Sequence, residues 1–215
     1  MKGKDNECCC PKKRILTAAI SLFAQKGFAA VGVREIAAEA GVNIAMISYY
    51  FDGKVGILKE VLEEFFKKFN QVFEGIDDED KTPEDCVRGM IHNIVQFVRE
   101  NTDLTMVAYN ELPLDLPEIA ELKAKSITAM IQRISGLVMR MGFDPTDVFM
   151  IAVVGPSLIS AIFTNFRLRP VMKQVFPFKF DDAYHERYAK TIATLFLYGI
   201  KGLVAERNQE KRRTK

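Results

Sequence analysis

Apolar residues recur at intervals of three and four along almost the whole 215-residue chain, and no segment alternates apolar and polar positions as a half-buried strand would. A chain patterned in this way can bury its apolar atoms only by packing helical stripes against one another, so the fold class is all-α. Ile15, Ala18, Ala19, Leu22 and Phe23 form the first stripe, and Gly27 stands just past its end, which predicts a helix over 11–26. Val33, Ile36, Ala37 and Ala40 predict a second over 33–40, with Gly32 as N-cap and Gly41 as terminator. Asn43 suits the cap of a short third helix, 44–50. A fourth, 54–73, carries Ile57, Leu58, Val61, Leu62, Phe65, Phe66 and Phe69 inward. The acidic run Asp77-Asp78-Glu79-Asp80 reads as a solvated linker, because like charges adjacent in sequence rarely converge on one ligand. Helices are then expected over 83–100, 103–111, 117–141, 146–167 and 182–206, about nine in all. Pro156 should kink or split the eighth.

Charge is unevenly distributed. Residues 1–59 hold nine Lys/Arg against five Asp/Glu, residues 60–205 hold 16 against 21, and residues 206–215 hold five against two. A basic N-terminal module on an acidic body points to a polyanion as partner of the first 59 residues. The first 14 residues lack the apolar core of a secretory signal, and the longest apolar stretch, Phe149 to Phe163, falls short of the roughly 18 residues that cross a bilayer. A cytoplasmic location with no membrane partner is therefore expected. Cys8, Cys9 and Cys10 are adjacent, which fits neither a disulfide framework nor a spaced zinc site, and they read as part of a leader without redox or metal function.

The stretch "AGVNIAMISYYF", residues 40–51, carries no charge although it lies in the basic module. Two short helices joined at Gly41 have the form of a helix-turn-helix, whose second helix lies in the major groove. Ala45, Ile47 and Phe51 are spaced to pack this helix inward, leaving Asn43, Ile44, Met46, Ser48, Tyr49 and Tyr50 around its rim. Uncharged side chains can read a duplex: apolar groups meet thymine methyls, while amides and hydroxyls reach base edges or phosphates. Lys12, Lys13, Arg14, Arg34 and Lys54 supply flanking charge.

Residues 26–58, "KGFAAVGVREIAAEAGVNIAMISYYFDGKVGIL", resemble the TetR family of bacterial transcriptional regulators. The resemblance rests on Gly27-Phe28, Arg34, Ile36-Ala37, Ala40-Gly41-Val42, Tyr49, Phe51, Lys54 and Leu58 standing in register. It implies a three-helix DNA-binding domain, 11–53, and a helical effector-binding and dimerisation domain, 54–206, with tails at 1–10 and 207–215. The implied DNA face is Val33, Arg34, Asn43, Ile44, Ala45, Met46, Ser48, Tyr49, Tyr50 and Lys54. Three departures bear on operator sequence: Gly32-Val33 stand where family members usually carry a threonine, Ser48 replaces a frequent tyrosine, and Tyr50 a frequent histidine.

One helix-turn-helix makes too few contacts for a specific site, so a homodimer is expected, with heads about 34–36 Å apart on a palindromic operator. The resemblance puts its interface on the last two helices, through residues such as Phe149, Val153, Ile159, Phe163, Tyr188, Ile192, Leu195, Phe196, Gly199 and Leu203. It also implies repression relieved by a small effector within the body. Met90, Ile94, Phe97, Met106, Tyr109, Met130 and Ile134, with Asn110 as polar anchor, would suit an apolar or amphipathic compound. A helical adaptor that binds protein is the alternative. An enzyme is disfavoured, since no Ser/His/Asp order, Gly-rich phosphate loop or metal-spaced His/Cys set appears, and no cofactor or metal is expected.

Overall fold

The computed structural model describes residues 10–109, 112–144, 146–177 and 179–213, the side chains of Met150, Ile200 and 202–213 excepted. These residues form ten helices and no strand: α1 Pro11–Lys26, α2 Val33–Glu39, α3 Ala45–Phe51, α4 Lys54–Gln71, α5 Pro83–Glu100, α6 Thr102–Tyr109, α7 Pro117–Arg140, α8 Val148–Arg167, α9 Arg169–Val175 and α10 Asp182–Arg213. Three details differ from the sequence reading. A tenth helix, α9, follows α8, with Pro170 in its first turn; its seven residues are too few to display a periodic stripe. Of the kink or split expected at Pro156, the split does not occur: α8 runs through it as one element. α10 continues to Arg213, into residues assigned above to a tail.

The chain divides into two compact units, and the boundary falls inside α4 and inside α7. The first unit comprises the residues up to Lys68 together with Asn101–Ser126, and the second Phe69–Glu100 together with Ile127 onward. The first turns of α4, the whole of α6 and the start of α7 thus go with the N-terminal helices, a later division than one at residue 53. Among the described residues, no single helix is long and apolar enough to cross a membrane.

The first unit is built on α1. Pro11 opens it, where its missing N–H costs nothing. Its five-residue stripe, Ile15, Ala18, Ala19, Leu22 and Phe23, is buried as the spacing requires. α2, α3 and α6 all pack on this helix. The junction of α3 and α4 is unusually close: a Cβ on Gly56 would stand 1.6 Å from the carbonyl oxygen of Phe51. Backbone, unlike a flexible side-chain tip, cannot step aside. Gly56→Ala is therefore expected to lower unfolding stability by about 2 kcal/mol or more, although Gly→Ala inside a helix normally raises it by ~0.5–1 kcal/mol. Urea denaturation of both proteins gives the sign.

In the second unit α5 packs on α8 and α10. Phe69, past the boundary in α4, sets its ring against Phe97 at 5.3 Å and Phe163 at 6.0 Å. At the far end of α8, Arg169 lays its guanidinium over Phe166, 3.4 Å from the ring centre, and donates to Nε2 of His185 at 2.6 Å. The Nδ1–H of His185 donates to the Asp181 carbonyl, so this buried imidazole is held neutral in one tautomer. Burial pushes its proton affinity below the ordinary histidine value, and the charge of Arg169 acts the same way. The unfolded chain takes up that proton first, so stability should fall as pH drops below about 6.5, the unperturbed histidine value. Melting temperature measured from pH 7 to pH 5 should show that slope, and His185→Gln should flatten it.

Candidate nucleic-acid interface

The turn between α2 and α3 is fixed by backbone hydrogen bonds. The amide of Val42 donates to the Ala37 carbonyl at 3.0 Å, and the amide of Gly41 to the Ala38 carbonyl at 3.1 Å. That pair of bonds ends a helix only if the residue between adopts left-handed backbone, and Gly41 does so at φ +61°. α3 then leaves at the angle this motif dictates. Asn43 stabilises its start: Oδ1 accepts the Ala45 amide at 2.9 Å. Ile47 and Phe51 are buried and anchor α3 on the unit's core.

The remaining α3 residues lie outward. Tyr49 is 81% exposed, an unusual state for so large a ring, and Ile44 is 43% exposed. Asn43, Ala45 and Ser48 are exposed, and Met46 and Tyr50 half-buried. Ala45, expected above to pack inward as well as to face DNA, stands only on the outer face. The rings of Tyr49 and Tyr50 meet edge-to-face, 4.9 Å apart, which limits the conformations either must give up on binding. Because the Asn43 carbonyl oxygen is taken by the cap, its amide N–H₂ is the part free to contact a base or phosphate.

The flanking cations are not equivalent. Arg34 and Arg14 are exposed, and among the described residues no carboxylate pairs with either. Arg14 reaches over the turn, its Nη1 3.8 Å from where a Gly41 Cβ would lie. Lys12 is already paired with Glu60 at 2.7 Å. Lys54 lies over the Phe28 ring at 4.2 Å from its centre and donates to the Ala29 carbonyl at 3.3 Å; burial pushes its proton affinity below the usual lysine value. That ammonium fastens the Gly27-Phe28 turn as well as offering charge. Val33 is half-buried at the start of α2. Of the ten residues expected on the DNA face, Val33 and Arg34 open α2, Asn43 and Ile44 lead into α3, Ala45, Met46, Ser48, Tyr49 and Tyr50 lie along it, and Lys54 opens α4.

Residues 15–61 match the family model described as bacterial regulatory proteins, tetR family. The chain therefore carries a TetR-family N-terminal region. It is 34% identical over 113 residues to the probable HTH-type transcriptional regulator YttP of Bacillus subtilis, covering 52% of this chain and 55% of that one. It is 30% identical over 102 residues to the HTH-type transcriptional repressor NicS of Pseudomonas putida, covering 47% and 48%. The matches thus span about half the length of these curated relatives. The fold is shared further: the fatty acid degradation regulator FadR of Bacillus halodurans superposes with a TM-score of 0.66 at 18% identity, over 92% of this chain and 96% of that one. The ketosteroid regulator KstR2 of Mycobacterium tuberculosis superposes with a TM-score of 0.64 at 14% identity, over 89% and 95%.

The second unit contains a cavity of about 100 Å³. Three helical faces and two rings line it: Val87, Met90 and Ile91 of α5; Ile134, Leu137 and Val138 of α7 with Met141 just past its end; Ile151, Val154, Gly155 and Leu158 of α8; and the rings of Phe143 and, on α10, Phe196. Of the expected effector residues, Met90 and Ile134 are in this lining. Ile94 is fully buried beyond it, Phe97 is used against Phe69, and Met130 is half-buried on α7 outside it. Met106 and Tyr109 belong to α6 in the other unit, and Asn110 lies outside the described residues. Other lining residues share the spacing of these two: 87, 90 and 91, and 134, 137, 138 and 141, recur at three and four.

Because Tyr49 is 81% exposed and its edge-to-face contact with Tyr50 lies at the surface, Tyr49→Ala should leave the melting temperature within a degree or two of the parent while weakening retention on duplex DNA at least tenfold. Asn43→Asp keeps the cap acceptor but replaces the free donor with charge, so it should also weaken retention without lowering stability. Thermal melts beside gel-shift titrations separate the two effects.

Proposed function

We propose that this TetR-family chain is a dimeric transcriptional repressor that holds a palindromic operator and is released when an apolar or amphipathic small molecule enters its body. The observation that carries the reading is the outward, charge-free face of α3, with Tyr49 exposed and the cations Arg34 and Arg14 beside it. An exposed uncharged surface of this size is a binding surface, and a duplex supplies what its rim of amide, hydroxyl and apolar groups can meet. A protein partner, the alternative, gives Arg14 and Arg34 no phosphate to neutralise.

Dimerisation is supported by apolar side chains left outward on α8 and α10. Val148, Phe149 and Val153 on the one, and Leu195 and Tyr198 on the other, are each at least 45% exposed. Phe163 is buried in its own unit and does not belong to that surface. The chemistry of the effector follows from the cavity lining, which offers hydrocarbon, thioether and two aromatic rings and no charged side chain. Relatives in fold are named for fatty acid degradation and for ketosteroids, both apolar classes. Release needs only that the ligand bind more tightly to the arrangement that cannot span two half-sites.

The test is selection of duplexes from a random pool by the full chain. A palindrome with half-sites one helical turn apart is expected. Arg34→Ala should weaken all selected sequences about equally and lower the salt slope by roughly one, as loss of a phosphate contact does. Met46→Ala should instead change which bases are selected. Recovery of no consensus, together with salt-independent retention, would overturn the reading.

A further inference from the structure

The acidic run after α4 is not the solvated linker its composition suggests. Arg140, the last residue of α7, donates through Nη1 to Oδ1 of Asp77 at 2.7 Å and to the Asp78 carbonyl at 3.0 Å, and through Nη2 to the Lys81 carbonyl. The thiol of Cys86, at the start of α5, donates to the same Asp78 carbonyl at 3.5 Å. Asp77 also rests on α7 directly, since a Cβ on Gly136 would come within 2.1 Å of its Oδ2. The Asp77 carboxylate in turn raises the proton affinity of Arg140. Side chains of Asp77 and Arg140 are only 29% and 27% exposed, so this is a packed, charge-assisted joint and not a loose surface pair.

Its position on α7 gives the joint a use. Gly136 and Arg140 are four residues apart and share one side of the helix. Leu137, Val138 and Met141, interleaved with them, line the cavity. A helix of tightly packed side chains moves as a rod, so any displacement of the cavity wall at 137–141 displaces Gly136 and Arg140 too. Bonds from Arg140 to three loop residues, plus the seat on Gly136, oblige residues 77–81 to follow. That loop is the continuation of α4, joined to it by a segment whose Phe73 and Ile76 are buried. We propose that the Asp77–Arg140–Gly136 joint is the positioning element that couples filling of the cavity to the segment following α4. The inference rests on the proposed effector role of the cavity only for its biological use; the mechanical coupling is testable without an effector or an operator.

Val138→Phe fills the cavity from within in place of a ligand, and Arg140→Gln cuts the joint. Backbone amide exchange at 77–82 is measured in the full chain, in each variant and in the double variant. The cavity-filling change should alter exchange at 77–82 about fivefold or more, the lower end of typical coupling between sites, and should alter it no further in the Arg140→Gln background. Gly136→Ala, which displaces the Asp77 carboxylate and leaves the arginine in place, should uncouple in the same way; Val154→Phe serves as filler if Val138→Phe does not fold. Equal effects of filling with and without Arg140, or no effect in either background, would overturn the proposal. Operator retention of the same four proteins is a separate arm. If none retains any duplex, the repressor reading fails while the exchange cycle still decides the joint.

Discussion

The left-handed turn at Gly41 is the constraint on which the N-terminal unit depends. Two backbone bonds close α2 around it, and the left-handed residue they enclose turns the chain through an angle toward α3. Given that angle, Ile47 and Phe51 reach the core on α1 and the opposite side of α3 must lie in water. A side chain at 41 would find room, its nearest neighbour being Arg14 at 3.8 Å; the cost of replacing the glycine is conformational, about 1–2 kcal/mol for left-handed backbone. The turn thus converts a charge-free heptapeptide, which would otherwise collapse inward, into a surface. Its outward side is uncharged, and the exposed Arg14 reaches over the turn beside it.

The second unit is organised on different physics. Its cavity is lined by aliphatic, thioether and aromatic side chains from α5, α7, α8 and α10, which favours ligands by burial and leaves orientation to few polar groups. Polar order is concentrated at its margins. At one lies the neutral His185 between Arg169 and the Asp181 carbonyl, and at the other the Arg140 joint. Each buries a charged or titratable group that an apolar core would otherwise exclude, so each makes the packing around it specific. Only the second touches helix positions interleaved with the cavity wall.

The helices themselves were legible because their signals are local. Glycines 27 and 41 and prolines 11, 83 and 117 mark ends, and stripes at three and four mark faces, so α1 to α8 fall within two residues or so of their expected bounds. Which side of α3 lies outward was legible for the same reason, since Ile47 and Phe51 fix the buried side. Long-range pairings were not. Nothing near Asp77 announces that its partner is 63 residues away, and acidic neighbours read as mutually repelling unless the guanidinium that gathers them is known. Phe97 and Met90 look alike in a stripe of α5, yet one meets Phe69 and the other faces the cavity. α9 was invisible because seven residues hold too few turns to show a period.

Whether a duplex covers the outer side of α3 is decided by hydroxyl-radical footprinting of the protein with and without its selected DNA. Oxidation of Met46 and Tyr49 should fall sharply on binding, while Met139, 51% exposed on α7, should oxidise at an unchanged rate. Undiminished oxidation of Tyr49 in a protein that is demonstrably bound to duplex would contradict such coverage.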